Sequence, residues 1–135
     1  MPAFLDTNIL VYAVDRGQDR KRDLASKLVE EHLVGGDGFI SVQVLREFYS
    51  AARRLKKPLS DEEAASLVEE FSSFRVLSED ARTVVKATGR VKDGFSFWDA
   101  LIVEVALRGG ADLLLSEDMQ DGRVVSGMRI ENPFA

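Results

Sequence analysis

The sequence predicts an α/β protein: a three-layer α/β/α sandwich around a central parallel sheet of four to five strands. Two observations predict it. Short apolar runs alternate along the chain with longer stretches whose apolar residues recur at three- and four-residue spacing, the patterns of buried strands and amphipathic helices. Because a helical stretch follows nearly every strand, consecutive strands need crossover connections, which implies βαβ units and a sheet covered on both faces. A third observation sets the scale: 135 residues, 45% hydrophobic and 30% charged, is the size and composition of one domain, here expected over residues 1–135.

The elements follow in order. Phe4-Leu5 begins a buried strand, and Ile9, Leu10, Val11 and Tyr12 open a helix directly from it. Between Gln18 and Val34, Leu24, Ala25, Leu28, Val29 and Leu33 mark an amphipathic helix that Gly35-Gly36 ends. Phe39-Ile40-Ser41-Val42 reads as the next strand, and Leu45, Phe48, Ala52 and Leu55 line a helix face that stops before Pro58. Ser60 with Glu63 forms a capping-box pattern ahead of Ala64, Leu67, Val68 and Phe71. Arg75-Val76-Leu77 is a short strand, Ala81 to Gly89 a helix, and Asp93-Gly94 a turn. The strongest helix runs from Ser96 to Arg108. Leu113-Leu114-Leu115 is a buried strand, and Met128-Arg129-Ile130, before Asn132-Pro133, a final edge strand.

Composition narrows the chemistry. The absence of cysteine excludes disulfides, thiolate catalysis and Cys-ligated zinc. No signal-peptide pattern or membrane-length apolar segment occurs, so a cytoplasmic protein without membrane association is expected. A net charge of −5 argues against holding nucleic acid by bulk electrostatics, unless part of the acidic charge is taken up by cations.

Four acids stand where strand patterns give way to helices or turns: Asp6, Glu47, Asp99 and Asp118. In a parallel sheet, ligands bind outside the carboxyl ends of the strands. Carboxylates gathered there stay ionised together only around a cation. Each acid also has a plainer role. Asp6 suits the N-terminus of the following helix, and Asp99 completes a capping box with Ser96. Glu47 would pair with Arg46 or Arg54 on a solvated helix face, and Asp118 lies in a turn-forming run where Glu117 and Asp121 compete for its role. His32, the only histidine, reads as a surface residue, and Trp98 and the eight phenylalanines as core. Arg53, Arg54, Lys56 and Lys57 form the one dense basic cluster, placed to meet a phosphate backbone beside Glu47.

Taken together, Phe4-Leu5-Asp6-Thr7-Asn8-Ile9-Leu10, Val44-Leu45-Arg46-Glu47-Phe48, Phe97-Trp98-Asp99-Ala100-Leu101-Ile102 and Leu114-Leu115-Ser116-Glu117-Asp118 resemble, in order and spacing, the four motifs of the PIN-domain nucleases. Overall length and the closing Asn132-Pro133-Phe134 resemble the VapC-like toxins of toxin–antitoxin pairs. The resemblance implies a metal site of Asp6, Glu47, Asp99 and Asp118, supported by Thr7, Asn8 and Ser116, with Asp121 as a further acid. It implies an endoribonuclease using a metal-activated water, a small antitoxin lying across the acidic crevice, and a homodimer. All-oxygen sites of this kind suit Mg2+ or Mn2+. Two rivals are a PIN-like module that binds RNA or a partner without cutting, and an aspartyl phosphoryl-transfer protein. The latter wants an acid two residues after Asp6, where Asn8 stands, or a lysine near the last strands, and none occurs from Leu113 onward.

Overall fold

A computed structural model describes residues Met1–Ala135. Its elements in chain order are β1 (Ala3–Leu5), α1 (Thr7–Val14), α2 (Asp19–Val34), β2 (Gly38–Ser41), α3 (Val42–Ala52), α4 (Asp61–Phe71), β3 (Arg75–Leu77), α5 (Ala81–Arg90), a 3-10 turn (Val91–Asp93), α6 (Phe97–Arg108), β4 (Leu113–Leu115), β5 (Val124–Val125) and β6 (Met128–Glu131). The sheet order is β3-β2-β1-β4-β6-β5. All neighbours pair in parallel except β5 with β6.

This order positions the site. The chain builds outward from β1 through β2 to β3, then returns to lay β4 on the other flank of β1. The reversal makes the carboxyl ends of β1 and β4 a topological switch point, where the connections diverge and leave a crevice. Strand β1 is fully buried, and Phe4, Leu5, Leu114 and Leu115 join Ile9, Phe39, Phe48, Ile102 and Ile130 in one core. An edge-to-face contact between Phe4 and Phe39 at 5.4 Å joins β1 to β2, and one between Phe48 and Phe71 at 5.0 Å joins α3 to α4. Gly109, which ends α6, packs so closely that a Cβ there would lie 2.3 Å from the Phe39 ring.

Helix starts follow their caps. The capping box between Ser60 and Glu63 forms in both directions, and Ser41 caps α3, so Val42 opens that helix instead of ending the strand before it. The helix ends at Ala52, leaving Arg53 to Lys57 beyond it.

Three expectations need correction. Strand β6 is not the edge: Ser126 and Gly127, with φ of 49° and 86°, turn the chain into a tight hairpin that adds β5 outside it. The sheet therefore has six strands and is mixed, and the two-residue Val124-Val125 is too short to register as periodicity. His32 is not a surface residue. Its side chain is 12% exposed, and Nδ1 lies 2.9 Å from Asp37 Oδ1. Trp98 is not core. Seven of the eight phenylalanines are buried and Phe97 is partly so, but Trp98 is 62% exposed. No helix is long and apolar enough to cross a membrane.

Candidate functional site

At the end of β1, Asp6 extends the sheet by one hydrogen bond, its N–H donating to Leu115 O at 3.0 Å, and turns the chain into α1. The residue is 5% exposed. Oδ1 accepts from the Thr7 N–H and Oδ2 from the Ser116 hydroxyl, each at 2.8 Å. Burial pushes its pKa up to about 7; the two hydrogen bonds oppose the rise, and the charges of Asp99 and Asp118 add to it.

Asp99 is the third residue of α6, and its N–H donates to Ser96 Oγ at 3.1 Å. The cap engages the Asp99 backbone and Ser96 also bears on the carboxylate, yet that carboxylate still feels its acidic neighbours, so the capping role and a site role coexist. Burial raises this carboxyl too, followed by the charges of Asp118 and, last, Glu47, against a lowering bond from Ser96. Glu47, in the second turn of α3, pairs with neither Arg46 nor Arg54. Gln43 Nε2 donates to its Oε1 and Thr7 Oγ1 to its Oε2, both at 2.9 Å. Asp118 follows β4 and accepts from Asn8 Nδ2 at 3.1 Å, while its N–H donates to Ser116 Oγ at 3.2 Å.

Four elements thus bring Asp6, Glu47, Asp99 and Asp118 close enough for their charges to act on one another. Every hydrogen bond to these carboxylates comes from a neutral donor, and none of the molecule's ion pairs involves them. A set of carboxylate oxygens with uncompensated negative charge is the donor chemistry of a hard divalent cation. As placed, no three of the acids close on one point tightly enough to hold an ion. Like charges with no cation between them repel, and Thr7, Gln43 and Asn8 hold two of the four by their side chains.

The competing acids are engaged elsewhere. Glu117 turns away to accept from the Tyr12 hydroxyl at 2.7 Å and from Lys21 Nζ at 2.8 Å, and Asp121 Oδ1 accepts from the Asn132 N–H at 2.8 Å. Asn8 joins the two halves of the crevice, its Oδ1 accepting from the Glu117 N–H at 3.1 Å. Sequence reasoning passed over Gln43, Tyr12 and Lys21. For Gln43 a signal existed, since an amide one turn ahead of Glu47 on the same helix is well placed to bond it; Tyr12 and Lys21 reach Glu117 only through tertiary packing.

A cleft of about 580 Å³ opens onto Thr7, Asn8, Glu47 and Asp118, with Arg54 on its wall. The rest of the basic cluster does not line it. Arg53 is bonded to Asp61 at 2.7 Å and stacked on Tyr49, and Lys56 and Lys57 are exposed beyond the end of α3. A roomier cavity, about 750 Å³, lies between α5 and α6. Its buried acid, Glu104, is paired with Arg90.

Comparison with known proteins places the fold and the family. A comparison with curated protein sequences finds no match. Among solved structures, the chain is similar to one in a toxin–antitoxin complex from Klebsiella pneumoniae, with 18% identity, a TM-score of 0.70 and 97% of each chain covered. It is also similar to one in DNA-bound VapBC from Salmonella typhimurium, with 21% identity, a TM-score of 0.67 and 98% of each chain covered. A third is Mycobacterium tuberculosis VapC20, described as a sarcin–ricin loop cleaving toxin, with 18% identity, a TM-score of 0.62 and coverage of 83% of this chain and 86% of that one. At these identities the likeness is one of fold, while a profile of the PIN domain matches residues 3–123 of the sequence itself. With that match spanning every element from β1 to the loop that carries Asp118, the chain belongs to the PIN-domain family.

Proposed function

We propose that this protein is a divalent-cation-dependent endoribonuclease acting in the cytoplasm as the toxin of a toxin–antitoxin pair. The observation that carries the reading is the uncompensated acidic crevice: four carboxylates at the sheet's switch point with only neutral donors around them. Asp6, Glu47, Asp99 and Asp118 would hold Mg2+ or Mn2+. When bound, such a cation supplies positive charge against phosphodiester oxygens and acidifies water for in-line attack.

The chain's own residues prepare that chemistry. Ser116 and the Thr7 N–H fix the orientation of Asp6, whose carboxyl gives up its proton readily once positive charge enters beside it. Gln43 and Thr7 hold Glu47 by both oxygens and Asn8 holds Asp118, and these bonds would shift as the acids close on a cation, leaving the same donors as its outer shell. Asp121 has a supporting role, anchoring the Asn132 backbone to the loop after Asp118. Arg54, on the cleft wall, is placed to meet a substrate phosphate, with Lys56 and Lys57 farther out along the same strand of RNA.

The partners follow the same electrostatics. An acidic crevice attracts a basic peptide, and a small antitoxin presenting one would silence the enzyme by occupying the place of the cation. Structures of similar fold are described as toxin–antitoxin complexes, some bound to DNA, which supports an antitoxin partner here; we extend the reading to a homodimer. The test is cleavage of a cellular RNA pool by purified protein, with Mg2+ or Mn2+ against excess chelator and with Asp6→Asn alongside. Discrete products that require both cation and Asp6 are expected. RNA bound but uncut under every cation would overturn the nuclease in favour of a binding module.

A further inference from the structure

Trp98 is the one aromatic side chain the fold leaves in water. The other rings are buried or partly so, many of them in edge-to-face pairs: Phe4 with Phe39, Phe48 with Phe71, Tyr12 with Phe134. Trp98, the only tryptophan, is 62% exposed on the second residue of α6, next to Asp99. Phe97 meets it edge-on, with ring centroids 5.2 Å apart and an interplanar angle of 70°. That contact braces the indole on one side and leaves the rest of its surface open.

We infer that Trp98 is a nucleobase-stacking subsite for the RNA strand that enters the crevice, taking a base one step from the phosphate at Asp99. The inference rests on the nuclease reading and adds to it the first residue that would touch a base. Successive helical residues diverge by about 100°, so the Trp98 side chain, one residue before Asp99 on α6, stands off from that carboxylate and outside the acid cluster. That is where the base belonging to a nucleotide held by its phosphate would lie. The start of α6 favours negative charge through its helix dipole, which suits a backbone passing Ser96. Exposed Lys92, Asp93, Gly94 and Ser96 precede it in the chain. A lone indole in such a setting matches the stacking platforms of single-strand binders, which accept any base by its π-face, better than the apolar centre of a protein–protein interface.

Because Trp98 is the only tryptophan, its fluorescence reports on this one position. The experiment titrates Asp6→Asn protein, expected to bind RNA without cutting it, with a short single-stranded oligo(A) and with an abasic ribose-phosphate strand of the same length. Stacking predicts quenching by oligo(A) and none by the abasic strand. It also predicts oligo(A) affinity about 5- to 150-fold weaker in Trp98→Ala and largely restored in Trp98→Phe, the range one base–aromatic stack is worth. An exposed side chain leaves the unfolding midpoint of Trp98→Ala little changed, which separates lost stacking from lost fold. Equal quenching by both strands, or unchanged affinity in Trp98→Ala, would overturn the subsite while metal-dependent RNA cleavage by the wild type left the nuclease standing. An indole that already emits as a buried ring and reddens on dilution would overturn it in favour of an interface between copies of this chain. Quenching specific to oligo(A) supports the subsite whether or not the wild type cuts RNA.

Discussion

Two acidic regions of this molecule are built by opposite rules. In the groove between α5 and α6, Glu104 is 8% exposed and bonded to Arg90. Asp80 there lies 3.6 Å from Arg108, and bonds from Thr83, with help from Arg108, hold its carboxyl below the usual range. At the switch point of the sheet, Asp6 is equally buried, yet its partners are a hydroxyl and a backbone N–H, and its carboxyl is pushed up to about 7. Asp99 is raised as well, by burial and then by its acidic neighbours. In the groove the chain sets an arginine beside each acid, the buried Glu104 and the exposed Asp80 alike. In the crevice it leaves the charge uncompensated, which destabilises the ion-free fold and is useful only if positive charge arrives from outside.

Substitutions sharpen this contrast, and the largest effect falls on activity. Asp6→Asn or Asp99→Asn is expected to lower metal-dependent RNA cleavage about 1,000-fold or more, since the electrostatic help of a bound cation is worth several kcal/mol. Initial rates on RNA under saturating Mg2+ measure it. The same Asp6→Asn change should stabilise the ion-free protein. A carboxyl raised from 3.8 to about 7 by folding corresponds to a destabilisation on the order of 4 kcal/mol. The sign fixes the pH window. Below 3.8 both folded and unfolded chains hold the proton and nothing is lost. Between 3.8 and about 7 the unfolded chain releases it first, so stability falls with pH. Above about 7 the full effect is present. Urea unfolding of wild type and Asp6→Asn should therefore nearly coincide at pH 4 and diverge progressively to pH 8.

The groove should respond in the opposite direction. Arg90→Met strands Glu104 in a mostly buried position and is expected to cost about 2–4 kcal/mol, while the double variant Arg90→Met/Glu104→Met recovers most of the loss. Chemical denaturation of the set checks both. The smallest effect is on the exposed rim. Arg53→Ala removes a pair with Asp61 in which both side chains are well exposed, and thermal unfolding should change by less than about 1 kcal/mol. By contrast Arg54→Ala, on the cleft wall, should raise KM for RNA and leave stability alone.

Much of this is written locally, and what escapes a sequence reading is tertiary. The Ser60–Glu63 capping box, the Gly35-Gly36 stop and the Leu113–Leu115 strand rest on neighbours within a few residues and are legible from them. The gathering of acids from four distant segments follows from sheet topology, because only a β1–β4 switch point puts Asp6 beside Ser116 and Asp118. Strand β5 is hidden because two residues carry no period, and its turn uses Ser126 at a positive φ, an uncommon choice for a residue with a Cβ. Trp98 misleads because hydrophobicity predicts burial, and a ring left in water departs from that rule. The choice among Glu117, Asp118 and Asp121 depends on Tyr12, Lys21, Asn8 and Asn132, none of which announces its partner along the chain.

Mn2+ binding followed by electron paramagnetic resonance, on wild type and on Asp6→Asn, Asp99→Asn and Glu104→Gln, tests most directly whether the uncompensated crevice is a place for a cation. Saturable uptake is predicted, retained in Glu104→Gln and lost in both crevice variants, with the wild-type unfolding midpoint rising as Mn2+ is added. Uptake indifferent to Asp6 and Asp99, or none at concentrations that support no more than surface binding, would contradict it.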